Sequence, residues 1–426
     1  MKRKYLCGFS KCAAVFCVVL FLLWLFQLLS ALIPNEALRE NMEKSVFAYK
    51  DCEGFELTDG NKLNSVADNY ADSIWLNIAW NLGEENPLVA TFKTSYYDGE
   101  MLGENAGLYY TVIEGTAPNN DYSRYWHGSA MLVRLFHLFT DVEGIKCIGF
   151  VVFLLLVLLS VIILVRRKQA DIAVILVLSL LFVSVWNIRL SLEYQSPFII
   201  AFVLIPFYLA FEKRGDNAFS LLSVVGGVMA SFFDFLTTET VTLLLPLALV
   251  IAVRAKEKRL GSAKQNIAMI VKSAVCWLVS YAGAFLVKWA LAGLVAGKGA
   301  FDAALSSAAE RMESYASVFS PVISNFTVLF GGTKRVDARL VVSGILISLI
   351  VLVSIWYLFR AKQTNALAAF LLLLVGFAVP LRFIVLGNHS YLHCFFTYRA
   401  LVTFVFAVLS ALWLNVRLPF GKRREK

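Results

Sequence analysis

Charge is scarce in this chain. Only 16% of its 426 residues are Asp, Glu, Lys or Arg, and only four are histidine. Proline is also sparse, at nine residues. No Cys-x-x-Cys pair and no Cys/His zinc spacing occurs among the seven cysteines, which removes the usual grounds for a structural metal or a thiol-redox centre. A P-loop, a Gly-x-Ser-x-Gly elbow, a His-Glu-x-x-His helix and a dinucleotide fingerprint are all missing, so no sequence motif points to nucleotide-driven, serine-hydrolase or zinc-protease chemistry. No 20–50-residue repeat or low-complexity tract is present.

What fills the chain instead is apolar. Hydrophobic residues make up 59%, with a mean hydropathy of +0.70. A soluble domain of this length has too little interior to hide that much apolar surface, so it must face lipid. The net charge of +9 would suggest nucleic acid in a soluble protein. Here the basic residues lie between apolar runs, which argues for a topological cause and against a nucleic-acid partner.

A helix needs about 20 apolar residues to cross the hydrocarbon core. The runs 12–33, 147–165, 172–187, 197–211, 219–236, 240–253, 268–292, 339–359, 366–386 and 398–416 predict an all-α integral membrane protein with about ten transmembrane helices. The first run follows Met1-Lys2-Arg3-Lys4 and is too long for a cleaved signal, so it reads as a retained anchor. Placing the N-terminus inside puts 21 Lys and Arg against 5 Asp and Glu in the cytoplasmic segments. The outer loop 34–125 then carries 16 acids and 6 bases. Both termini of this multi-pass membrane protein are therefore expected in the cytoplasm. The expected domains are the tail and anchor 1–33, an extracytoplasmic loop domain 34–146, a nine-helix core 147–416 and a basic tail 417–426.

Runs 172–211 and 219–253 each make two short crossings around a polar turn. About 15 residues at 1.5 Å each reach only about 22 Å. The turns holding Glu193, Asp234 and Glu239 are thus expected below the outer boundary, where polar backbone persists only against protein or water. In the outer loop, the spacing of Ile74, Ile78 and Leu82 predicts a helix over 67–81, with Trp75 and Trp80 at an interface. Ser129–Phe139 is predicted to lie along the membrane surface, with an apolar stripe interrupted by Arg134 and His137; 302–318 reads similarly.

Candidate chemistry clusters on the outer side. Asp68 and Asp72 share one helix face, which suits a general base or a divalent cation; a solvated acidic face is the plainer alternative. Asn388, His389, Tyr391, Tyr398 and Arg399 form a polar patch, and Arg399 and Lys288 are candidate phosphate ligands or interfacial anchors. Arg124, Trp126 and His127 precede the surface helix. All four histidines fall at or beyond the outer boundary.

The segments Asp68-Asn69-Tyr70-Ala71-Asp72, Tyr125-Trp126-His127-Gly128, Phe233-Asp234-Phe235, Lys288-Trp289 and Asn388-His389-Ser390-Tyr391, with a large acidic loop after the first span, resemble the GT-C membrane glycosyltransferases. The resemblance covers most of the chain in architecture but only short stretches in motif. It implies a GT-C-like fold and sugar transfer from a polyprenyl-phosphate-linked donor to a cell-envelope glycan or lipid acceptor outside. It also implies an acid in the first outer loop as base or metal ligand. That family's paired acids follow the first span closely, whereas here that stretch reads Pro34-Asn35-Glu36, so Glu36 competes with Asp68 for the role. A transporter or flippase and a non-catalytic assembly protein are the alternatives.

Overall fold

Local signals start the helices. Asp68 caps the helix Asn69–Asn81 by accepting from the Ala71 N–H at 2.9 Å, Asp141 caps Val142–Arg166, and Ser262 and Gln265 form a reciprocal capping box on Ala263–Ala296. The computed structural model describes residues 2–60, 62–215, 217–234, 236–297, 299–313, 317–332 and 365–415. The helices are α1 (Lys2–Ala31), α2 (Arg39–Tyr49), α3 (Asn69–Asn81), α4 (Pro87–Lys93), α5 (Glu104–Val112), α6 (Ser129–His137), α7 (Val142–Arg166), α8 (Ala170–Phe182) and α9 (Leu192–Phe211). They continue as α10 (Asn217–Phe233), α11 (Val241–Lys256), α12 (Ala263–Ala296), α13 (Gly299–Met312), α14 (Ser320–Leu329), α15 (Ala366–Val385), α16 (Gly387–Leu392) and α17 (Leu401–Asn415). Strands β1 (Phe55–Leu57) and β2 (Val66–Asp68) pair antiparallel, Phe55 opposite Asp68.

Six helical stretches are long and apolar enough to cross a membrane: Gly8–Ala31, Val142–Arg166, Leu192–Phe211, Ala263–Ala296, Ala366–Val385 and Cys394–Asn415. Several apolar helices of this kind fit a multi-pass membrane protein. The expected count of ten is not reached among the described residues. The runs 172–187, 219–236 and 240–253 fall on α8, α10 and α11, which have 13, 17 and 16 residues and are short for a full crossing. The run 339–359 and the basic tail lie outside the described residues.

Two apolar cores divide the molecule. One joins α7 to α12 with α15 and α17. The other draws on residues 31–145 together with Leu192 and packs α2, α3, α5 and α6 together. Trp75 and Trp80 belong to this second core, at 2% and 4% exposure, so they are interior residues rather than interface anchors. Being five apart they lie on different sides of α3, and both are buried because α2, α5 and α6 enclose the helix.

Helix α6 is built inside out for a soluble domain. Its Leu132 and Leu135 are exposed, as are Leu138 and Phe139 just beyond it, whereas Arg134 and His137 are fully buried. The Arg134 guanidinium donates to the carbonyls of Ser30 (2.8 Å), Ile33 and Ala79 (2.5 Å) and to Asn35 Oδ1 (2.8 Å), tying the end of α1 to α3. An outward apolar stripe with its cation turned in suits a lipid boundary. A nitroxide at Leu135→Cys in bilayers should therefore relax more with oxygen than with a water-soluble nickel complex. The reverse preference would place α6 in water.

Candidate functional site

The site forms where the loop domain meets the membrane helices. Four backbone features bring its acids together. The β2-to-α3 junction places Asp68, and Asp72 follows one turn later. Ser191 caps α9 and sets Glu193 in its first turn. Helix α10 ends at Phe233, just before Asp234. The turn to α11 contains Leu236 at φ +67°, a left-handed conformation that a non-glycine residue adopts only under local constraint.

Asp72 is fully enclosed. It accepts from the Tyr49 hydroxyl (2.8 Å), the Ser191 hydroxyl (2.8 Å) and the Leu192 N–H (2.8 Å), and pairs with Lys146 at 3.2 Å. With four donors it fastens α2, α7 and α9 onto α3 and has little left for a reactant. Asp68 differs. It accepts from the Ala71 N–H, and its carboxyl meets that of Glu193 in a hydrogen bond that requires a proton between the two acids. Burial, reinforced by the charge of Asp72, pushes Asp68 up to about 7, against the opposing pull of the Ala71 N–H. Glu193 Oε1 and Asp234 Oδ2 are buried without a hydrogen-bond partner. Asp68, Asp72 and Asp234 all lie within electrostatic reach of Glu193.

Beside this group stands a second cluster. Arg382 grips Glu239 through two hydrogen bonds of 2.8 Å and also donates to Ser390 Oγ (3.0 Å) and the Leu236 carbonyl (2.6 Å). His389 Nε2 meets the same carbonyl at 2.9 Å, and its Nδ1 faces Arg311 Nη1 at 3.0 Å. A guanidinium only donates, so Nδ1 accepts and the proton sits on Nε2. Burial pushes His389 well below its usual value, helped by His393, Arg382 and Arg311.

The candidate residues from the sequence therefore separate into neighbourhoods. Asp68, Asp72, Glu193 and Asp234 converge, and Glu239 and His389 adjoin them. Arg399 reaches the first group through Tyr194, whose ring it overlies at 4.3 Å, with Tyr398 at 5.1 Å. Arg399 also donates to the Asn64 and Phe395 carbonyls. Lys288 lies elsewhere: it donates to the Thr91 carbonyl at 2.8 Å, 5.4 Å from the Trp126 ring. The expected two-cation grip does not assemble, because Lys288 and Arg399 share no partner. Trp126 stacks on Phe232, and Gly128 follows it where an added Cβ would lie 2.1 Å from the Phe232 ring. His127 is buried at φ +53°, with Nε2 against the Tyr122 carbonyl at 3.0 Å. Arg124 contacts Ser307 and the Tyr122 hydroxyl. Tyr398 is fully buried and donates to the Val183 carbonyl; Asn388 and Tyr391 are half-buried. Glu36 pairs with Arg39 in solvent, apart from the acids.

Among the described residues no group of three or more His, Cys, Asp or Glu is arranged to hold a metal ion, and Asp72 is already saturated by protein donors. Lys146, Tyr49 and Arg382 complete the site without having been singled out in the sequence. Arg382 carried a usable signal, an ionisable residue inside the apolar run 366–386.

The buried histidines give this region a pH dependence. Burial, with Arg311 and Arg382 nearby, holds His393 down to about 4, and burial holds His137 down to about 4. An unfolded histidine titrates near 6.5. The stability from keeping these rings neutral is complete above about 6.5 and is lost as pH falls through about 4. Thermal unfolding temperatures should drop across that window, and drop less in the His137→Gln/His393→Gln double variant. Superimposable profiles would contradict this.

No protein-family model matches the chain, and no curated protein or solved structure matches it.

Proposed function

We propose that the chain is a membrane glycosyltransferase of the GT-C kind, moving a sugar from a polyprenyl-phosphate-linked donor to a cell-envelope glycan or lipid acceptor on the non-cytosolic face, with both termini in the cytoplasm. The observation that carries this reading is the hydrogen-bonded Asp68–Glu193 carboxyl pair at the junction of loop domain and membrane helices, with the unpartnered Asp234 oxygen beside it. A carboxyl near 7 is matched to taking a hydroxyl proton at neutral pH. Asp68 acts as the base toward the acceptor hydroxyl and keeps the proton it takes, and Glu193 carries the proton already shared by the pair, which leaves Asp68 the acceptor. Asp72 positions Asp68's helix rather than reacting.

The surrounding cations suit an anionic leaving group. Among the described residues, Arg399 beside the acids and Arg311 beside His389 have no carboxylate partner within 4 Å. Burying a cation against carbonyls and ring faces alone is costly, and a phosphate offsets that cost. Arg399 lies nearest the acids and is assigned to the donor phosphate. The acids are buried in this conformation, so reaction requires the loop domain and the membrane helices to part.

The test is sugar transfer by purified protein from a set of polyprenyl-phosphate sugars to envelope acceptors. Covalent transfer that disappears in Asp68→Asn supports the reading. Movement of intact substrate across sealed liposomes without transfer would replace it with a transporter or flippase. Neither transfer nor movement would leave an assembly role.

A further inference from the structure

The loop domain carries a second set of groups that the transfer chemistry leaves unused. Glu104, in the first turn of α5, is 7% exposed, yet its Oε2 has no hydrogen-bond partner. Leaving a buried carboxylate oxygen unpaired costs free energy unless a donor arrives. Tyr70, Tyr96 and Tyr122 stand around it. The Tyr70 hydroxyl faces the Glu104 carboxyl, and the Tyr96 ring lies within reach of Glu104, Tyr122 and Asp98. Tyr96 and Tyr122 meet at 5.5 Å between ring centres.

The cluster is not sealed. Tyr70 is 39% exposed, and Phe55 is stacked on it at 5.5 Å and 20° with 45% of its surface open. Phe55 also meets Phe395 edge-on at 5.5 Å, and Phe395 precedes Arg399 by one helical turn. An aromatic platform thus runs from Glu104 toward the acid site.

The chemistry of the occupant follows from these groups. Only Phe55 and Tyr70 offer open ring surface, Tyr96 being buried behind them, and that surface favours a flat apolar partner such as the C–H face of a sugar. An unpaired carboxylate oxygen wants a hydroxyl or N–H donor. Glu104 with Asp98 beside it disfavours an anion against Tyr70, while Arg124 lies 4.5 Å over the Tyr122 ring and donates to its hydroxyl, so the ring that meets Tyr70 and Glu104 is the uncharged part of the occupant. We infer that Tyr70 and Glu104, with Phe55 alongside and Tyr96 and Tyr122 packed behind, form a subsite for a neutral sugar ring of the acceptor glycan. The assignment to the acceptor rests on the transferase reading; the sugar site itself does not.

The experiment uses the full-length protein in lipid nanodiscs and saturation-transfer NMR with maltotriose, mannotriose and N-acetylchitotriose. At least one trisaccharide should bind, and Tyr70→Ala should weaken it about tenfold through loss of the stacking ring. Tyr70→Phe, which keeps the ring, should bind as the parent does. Matching unfolding temperatures establish that Tyr70→Ala is folded. Absence of binding by the parent to all three sugars, or unchanged binding in Tyr70→Ala, overturns the subsite. If sugar binds as expected but no transfer occurs, the subsite stands and the transferase reading falls. If transfer occurs with an unchanged acceptor KM in Tyr70→Ala, the transferase reading stands and the subsite falls.

Discussion

Arg382→Ala is expected to cost about 3–5 kcal/mol of stability. The guanidinium is 6% exposed and its partner Glu239 4%, and they meet through two hydrogen bonds. Truncation leaves Glu239 buried and uncompensated. It also frees the Leu236 carbonyl and the Ser390 hydroxyl from one donor each. The energy at stake is the penalty of an orphaned charge, not the net worth of the pair. An Arg382→Met/Glu239→Gln double variant should therefore recover much of the loss. Unfolding in detergent followed by tryptophan fluorescence reads both. Equal destabilisation by the single and double variants would show that the ion pair itself, with its backbone contacts, is what holds the turn.

On the proposed transferase reading, Asp68→Asn is expected to lower the transfer rate by about 10²–10⁴-fold while leaving the fold intact. The replacement keeps an acceptor for the Ala71 N–H, so the α3 cap survives. It also keeps a donor for Glu193. What it removes is the group able to take a proton. Asp72→Asn makes the useful contrast. It weakens four contacts at once, although Lys146 retains Glu143 at 3.0 Å. A loss of about 1–3 kcal/mol in stability is expected, with any fall in rate tracking the fraction folded. If Asp72→Asn abolished turnover in fully folded protein while Asp68→Asn did not, the roles assigned to the two acids would be reversed.

The helical periodicity of 67–81 was legible, and the structure has a helix over Asn69–Asn81. So was the apolar length of the runs that became α1, α7 and α12. The runs 172–187, 219–236 and 240–253 were read as short crossings and became short helices, whereas 197–211, read as equally short, extends back to Leu192 in a 20-residue helix, because the polar residues Glu193 and Gln195 hid its first turn. Orientation within an element was the weak point. Arg134 looked like an interruption of an apolar stripe; it is the side chain for which α6 is placed, since three carbonyls and Asn35 await it. Trp75 and Trp80 looked interfacial because nothing local reveals that α2 and α5 cover them. The pairing of Asp68 with Glu193, and of Glu239 with Arg382, joins residues more than a hundred positions apart. No spacing rule reaches that far; only the packing of α3, α9, α11 and α15 supplies it.

The central claim is that the buried acids sit at the non-cytosolic rim of the membrane, opposite the basic loops. In a cysteine-free background, Met101→Cys reports the loop domain that holds Asp68, and Lys264→Cys reports the start of α12; both positions are exposed. A membrane-impermeant maleimide applied to intact cells should label position 101 and should reach 264 only after permeabilisation. Labelling of both from the same side, or of 264 alone in intact cells, would contradict the account.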